Sequence, residues 1–159
     1  MNIIWNNLFN KLQVNLFLLL KKGPLFRGFN KSDLISIIKY FHTRKFSANE
    51  ILFCDTSPSQ SLFFIKSGKI KIYNEAHNNL NNSIILKPGD FFNELAFVDK
   101  PIEKIVAVAE KDSEVLMLLK SDFSLIIERK PNLAVKLLQN LAFILKERLM
   151  AALKKQHVE

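Results

Sequence analysis

The side chains that could do chemistry in this chain are few and far apart. His42, His77 and His157 are the only imidazoles, and none stands in the His-x-His or His-Glu-x-x-His spacing that turns two ring nitrogens toward one metal. Cys54 is the only thiol, which excludes an internal disulfide framework and a four-cysteine metal site. No Ser-His-Asp or Cys-His arrangement and no phosphate loop is legible. Glu94, in Phe92-Asn93-Glu94-Leu95-Ala96, reads from its residues alone as a carboxylate at a helix N-terminus, where the backbone dipole favours it. The expectation is a protein that binds rather than catalyses, with no catalytic residue, no metal site and no cofactor.

The elements that would position Glu94 follow from hydrophobic period. The chain has 159 residues, 48% of them apolar and 24% charged, with 4 Gly and 14 Phe. That size and balance fit one packed domain, neither a disordered tail nor a fibre. Leu34, Ile35, Ile37, Ile38 and Phe41 repeat with helical period behind Asn30 or Ser32 as N-cap. From Glu50 the period drops to two or to short apolar runs at 51–53, 62–65, 70–73, 84–86, 105–109 and 115–119. These are rich in Ile, Val, Phe and Tyr and read as strands. Ser57-Pro58-Ser59, Ser67-Gly68 and Lys87-Pro88-Gly89-Asp90 separate them. The asparagine-rich stretch 74–83 reads as a polar hairpin loop. Many short strands at this spacing predict an antiparallel sandwich or barrel.

Helical period then returns. Ser121 or Asp122 can cap a short helix carrying Phe123, Ile126 and Ile127, which Pro131 stops or restarts. Beyond it Leu137, Leu138, Leu141, Ile144 and Leu145 form an apolar stripe on a helix of about 24 residues, about 36 Å long. A small barrel cannot cover so long a helix, so residues of about 133–153 are expected to pair with a second copy in a homodimer. Arg148 dissents within that seam. At the other end, Ile4, Leu8, Leu12, Leu16 and Leu20 line one stripe of an amphipathic helix. Polar residues interrupt every apolar run there well short of the roughly 20 residues needed to span a bilayer. Lys21-Lys22 follow the apolar stretch, whereas a signal peptide carries its basic residues first. A cytoplasmic protein without membrane contact is the expectation.

The formal charge of +8 is uneven: residues 1–50 carry +6, residues 51–110 carry −1 and residues 111–159 carry +3. Basic ends around a neutral middle suit nucleic acid, an acidic partner or an anionic surface, or simply a solvated positive surface.

Taken in order, several short motifs resemble the cyclic-nucleotide-binding domain family, the family of Crp/Fnr-type, catabolite-activator-like sensory domains. They are Pro24-Leu25-Phe26-Arg27-Gly28-Phe29, Leu52-Phe53, Ser67-Gly68-Lys69-Ile70-Lys71-Ile72-Tyr73, Leu86-Lys87-Pro88-Gly89-Asp90-Phe91-Phe92, Asn93-Glu94-Leu95-Ala96 and Val106-Ala107-Val108-Ala109. The resemblance covers about residues 17–155. It implies a mainly β fold, an eight-stranded jelly-roll-like barrel (a double-stranded β-helix) with N-terminal helices and a long C-terminal helix. The implied segments are an amphipathic helix at 1–22, the barrel domain at 23–130 and the long helix at 131–159.

The resemblance also implies a phosphate cassette at Phe92, Asn93, Glu94, Leu95, Ala96, Glu103 and Lys104. In such a cassette backbone N–H groups at a helix start cradle the cyclic phosphate, a Gly allows close approach, a Glu accepts from the ribose hydroxyl and an Arg forks onto the phosphate. Glu94 keeps the ribose position. Asn93 replaces the glycine, and tolerates positive φ better than most residues. Glu103, or Ile102 in a shifted register, occupies the arginine position, with Lys104 beside it as a point charge. The turn at 55–60 lacks the family glycines. The expected ligand is cyclic AMP or cyclic GMP, bound weakly or not at all; the alternative is a working sensor that signals to a partner protein. A cupin-type metal enzyme, the remote alternative, needs several ligands converging inside the barrel, and the scattered histidines do not supply them. No helix-turn-helix follows the long helix, so no DNA binding by the chain alone is expected.

Overall fold

The computed structural model describes residues 16–54, 59–74, 83–97 and 105–156. They fall into two compact units, one of residues 39–124 and one drawn from 1–38 and 125–159.

Among the described residues, the unit of 39–124 holds an antiparallel sheet of six strands: β1 (Phe41–Phe46), β2 (Ile51–Phe53), β3 (Ser61–Asn74), β4 (Ile84–Leu86), β5 (Phe91–Phe92) and β6 (Ile105–Leu119). The order is β1-β6-β3-β4, with β2 also on β6 and β5 also on β3. The count is six rather than eight because runs read as separate strands are continuous. Residues 62–65 and 70–73 lie in β3, and 105–109 and 115–119 lie in β6. These two long strands pair from Ser61↔Leu119 to Asn74↔Ile105, and the register shifts between Ile65 and Ile70. Gly68 sits in that irregular stretch at φ +94, where a Cβ would collide with Ser113. Ser67-Gly68 is therefore a corner within one strand, not a turn between two.

A second correction lies just upstream. The helical period predicted through Phe41 ends at Ile38, and Phe41 opens β1, so His42 is on a strand. Six backbone pairs with β6, from Phe41↔Leu118 to Phe46↔Ser113, outweigh the local period. Inside the sheet, Phe53, Phe63 and Phe92 stack with ring centroids 5.0–6.1 Å apart. Phe46, Ile65, Ile70, Ala107, Ala109 and Val115 complete this core.

The other unit is helical: α1 over 16–22, a 3₁₀ turn at Pro24–Phe26, α2 (Lys31–Ile38), the end of α3 (Lys120–Arg129) and α4 (Pro131–Gln156). Leu20, Leu25, Phe26, Leu34, Ile37, Leu137, Leu141 and Ile144 are buried in it. Asn140 fastens α4 to the 3₁₀ turn, its Nδ2 donating to the carbonyls of Leu25 (2.9 Å) and Arg27 (2.8 Å). Asn30 is the cap of α2: its Oδ1 accepts from Asp33 N–H at 2.8 Å, and Asp33 Oδ2 accepts from Asn30 N–H at 3.2 Å. At α3 neither expected cap acts as one; the helix begins at Lys120, and Asp122 Oδ2 lies 2.8 Å from His42 Nε2.

Asp33 also receives Lys136 Nζ at 2.6 Å. That hydrogen bond, helped by the Asn30 N–H and the ammonium charge, holds the Asp33 carboxyl below its ordinary range despite partial desolvation. A depressed carboxyl stabilises the fold above the ordinary value near pH 4, and the stabilisation is lost as pH falls through the lower folded value. Asp33→Asn is expected to flatten the acid limb of a Tm-against-pH curve below about pH 4. An unchanged acid limb would show the pair to be inert.

The stripe expected on α4 divides into two faces. Leu137, Leu141 and Ile144 are 2%, 5% and 8% exposed, so they belong to the chain's own core and are unavailable to a second copy. Leu138 is exposed and Leu145 half-buried. They belong instead to a row of Val135, Leu138, Ala142, Leu145, Leu149 and Ala152, spaced three and four apart on the solvent side. Arg148 is not in that row.

Candidate functional site

The segment that resembles a cassette is held by β3 at both of its ends. Pro88-Gly89 makes the entry turn: Asp90 Oδ2 accepts from Lys87 N–H at 2.8 Å, and Gly89, at φ 97, donates its N–H to the Ile65 carbonyl at 3.0 Å. Ile65 N–H returns a bond to the Asp90 carbonyl at 2.9 Å. β5 then pairs with β3 through Phe63↔Phe92 and Phe64↔Phe91, and Phe92 is buried in the aromatic stack.

The chain reverses at Asn93, whose φ is 63. This left-handed conformation is the one a glycine adopts freely, and asparagine is among the few other residues that tolerate it. The asparagine side chain is not idle. Its Nδ2 donates to the Ser59 carbonyl at 3.0 Å and the Ser61 carbonyl at 2.8 Å, tying the turn to the start of β3. Glu94 opens the 3₁₀ turn Glu94–Phe97, with its side chain 6% exposed, while Leu95 is 58% exposed. A carboxylate so buried is retained only where it is engaged. Ala96 lies in the same turn. Glu103, Lys104, Pro101 and Ile102 lie outside the described residues, as does the glycine-poor turn at 55–58. The structure therefore brings together Phe92, Asn93, Glu94, Leu95 and Ala96.

Asn93 gives a measurable consequence. Asn93→Ala combines strain of about 1–2 kcal/mol at positive φ with loss of two hydrogen bonds, each worth about 1 kcal/mol. A destabilisation of about 3–4 kcal/mol is expected by urea unfolding. Asn93→Gly keeps the backbone conformation and loses only the bonds, so its cost is about half of that. Equal losses in the two variants would refute a role for the backbone conformation.

The sequence carried no signal for two other features of this unit. Lys66 Nζ meets Glu114 at 2.8 Å across the β3–β6 corner. An open cleft of about 320 Å³ is lined by Lys45, Phe46, Ser47, Ser67, Asp112, Ser113 and Glu114. Among the described residues, no group of three or more His, Cys, Asp or Glu is arranged to hold a metal, and no helix is long and apolar enough to cross a membrane.

Comparison with known proteins adds to this geometry. Residues 43–130 match the family described as Cyclic nucleotide-binding domain. A cyclic AMP receptor protein of Thermus thermophilus is 29% identical over 134 residues, covering 84% of this chain and 60% of that protein. The crystal structure of Thermus thermophilus catabolite activator protein superposes with a TM-score of 0.72 at 27% identity, over 86% of this chain and 62% of that one. A cyclic nucleotide-binding domain from Methylobacillus flagellatus superposes with a TM-score of 0.76 over 91% of this chain and 82% of that one. At 17% identity it shares the fold. The chain thus spans about 60% of the length of the Thermus relatives.

Proposed function

This chain belongs to the cyclic nucleotide-binding domain family, and from that premise we propose that it is a non-enzymatic regulatory module of the sensor type, whose cassette takes cyclic AMP or cyclic GMP weakly or not at all. The observation that carries the reading is Asn93. The family's glycine position keeps its left-handed backbone, but its side chain is spent on the Ser59 and Ser61 carbonyls. Those two bonds tie the turn to the start of β3. The sequence places Glu103 where the family's arginine would fork onto the phosphate, and Lys104 alone offers no bidentate contact. The family relation supports regulation rather than catalysis. Calorimetric titration with cyclic AMP and cyclic GMP tests the reading; saturation at micromolar nucleotide would overturn it in favour of a working sensor.

The same reading includes a homodimer through α4. The row Val135, Leu138, Ala142, Leu145, Leu149 and Ala152 alternates three- and four-residue steps, the spacing at which two helices interlock. Its members at 135, 138 and 149 are 51%, 43% and 60% exposed. This row replaces Leu137, Leu141 and Ile144 as the pairing face.

A further inference from the structure

The whole formal charge of the chain lies on one of its two units. Residues 39–124 carry 11 Lys/Arg and 11 Asp/Glu, whereas 1–38 with 125–159 carry 12 against 4, a balance of +8. The same helical unit bears nine of the twelve large apolar side chains that the described residues expose. Charge and apolar surface meet on α4. At about 100° per residue, the core face (137, 141, 144) and the pairing row (138, 142, 145, 149) leave a third face about a third of a turn from each. It carries Gln139, Phe143, Lys146, Met150 and Lys154.

Phe143, 48% exposed, is the centre of that face. Arg27 lies over its ring at 5.8 Å and Lys146 at 5.4 Å. Met150, 46% exposed, follows two turns on. The carboxylates nearby are Glu147, 3.4 Å from Lys146, and Asp33, which is taken by Lys136. Arg27 makes no ion pair among the described residues. An exposed aromatic, a methionine and an unpaired arginine are the composition of a protein-interface centre. Two anchors seven residues apart match the i, i+7 stripe of a single helix. A bilayer surface asks instead for a broad, continuous apolar face, whereas Phe143 and Met150 stand apart among Gln139, Lys146 and Lys154.

We propose that the Phe143–Met150 face of α4, with Arg27 and Lys146, docks an acidic amphipathic segment of a partner protein. The proposal deepens the regulatory reading by naming the partner class, and it uses no cassette residue, so its failure and a failure of the nucleotide titration are separate results.

The probe is a synthetic helix-forming peptide of about 20 residues, with Leu at i, i+3, i+4 and i+7 and Glu elsewhere. It is titrated into the full chain by fluorescence anisotropy beside a shuffled peptide of equal composition. The expected result is saturable binding that weakens with salt, about tenfold weaker for Phe143→Ala and weaker still for Arg27→Glu with Lys146→Glu. Circular dichroism melting confirms that each variant is folded, and Lys146→Glu alone, at an exposed position, serves if the others are not. Equal binding of the shuffled peptide overturns the proposal. So does tighter retention on phosphatidylserine vesicles or on duplex DNA, and so does dissociation of the chain's own dimer by Phe143→Ala, which would assign the face to self-association.

Discussion

Leu149→Glu is expected to convert the proposed α4 dimer to a monomer while leaving the fold intact, and Leu141→Glu is expected to do the reverse, unfolding the chain instead of parting two folded copies. The contrast comes from which face each residue occupies. Leu149 is 60% exposed in the single chain, so the monomer loses little when it is charged. In a two-fold pair each substitution acts twice. Two leucines withdrawn from burial forfeit about 1.5–3 kcal/mol each, or roughly two to four factors of ten in the dissociation constant. Leu141 is 5% exposed in the core of the helical unit, beside Leu137 and Ile144 on the same face. A carboxylate there loses the packing, about 2–5 kcal/mol, and is desolvated as well. Sedimentation at micromolar concentration with circular dichroism separates the outcomes. A Leu149→Glu protein that still sediments as a dimer would remove this row from the interface.

Glu103→Arg should give the larger gain in nucleotide binding. An arginine restores a charge-assisted bond worth about 1.5–3 kcal/mol. It also removes a carboxylate whose repulsion at about 5 Å from a phosphate is on the order of 3 kcal/mol at an effective dielectric near 20. Together, about 5 kcal/mol, these correspond to three to four factors of ten, enough to bring a site beyond millimolar back to micromolar. This is an upper figure. The structure changes the design of the test. Asn93→Gly would cut the turn loose from Ser59 and Ser61, so Glu103→Arg alone is the cleaner variant and the double variant is read with its stability. Silence in Glu103→Arg towards both cyclic AMP and cyclic GMP would show that the arginine position is not what limits binding.

The fold was legible where residue type and period agree. Apolar runs from Ile51 to Leu119 marked most of the strands that carry the core, and Pro131 marked the start of α4, because a proline without an N–H is most at home in a helix's first turn. The reading failed where long-range pairing overrode local pattern. Phe41 continues a helical period, yet the β6 ladder draws residues 41–46 into a strand. Apolar spacing on α4 gave the right helix but mixed two of its faces. A stripe shows which residues share a side of a helix, not whether that side meets the same chain or another. In the cassette, sequence suggested the backbone conformation of Asn93 but not its bonds to Ser59 and Ser61. Those carbonyls lie some thirty residues upstream and enter reach only when β5 pairs with β3.

The long pairing of β3 with β6 has a kinetic consequence. Its ladder closes at Asn74↔Ile105 and reaches back to Ser61↔Leu119, so β4, β5 and the 3₁₀ turn Glu94–Phe97 all lie between its two strands in sequence. Searching for partners so distant in sequence is slow, and it makes this ribbon the step on which folding of the sheet waits. Once it is zipped, β4, joined to β3 by only three residue pairs, can open and re-form with a free energy below that of global unfolding, whereas Phe92 in the aromatic stack holds β5 to the ribbon. Amide exchange should then separate β4, exchanging on its own, from the ribbon and β5, exchanging only through whole-domain unfolding.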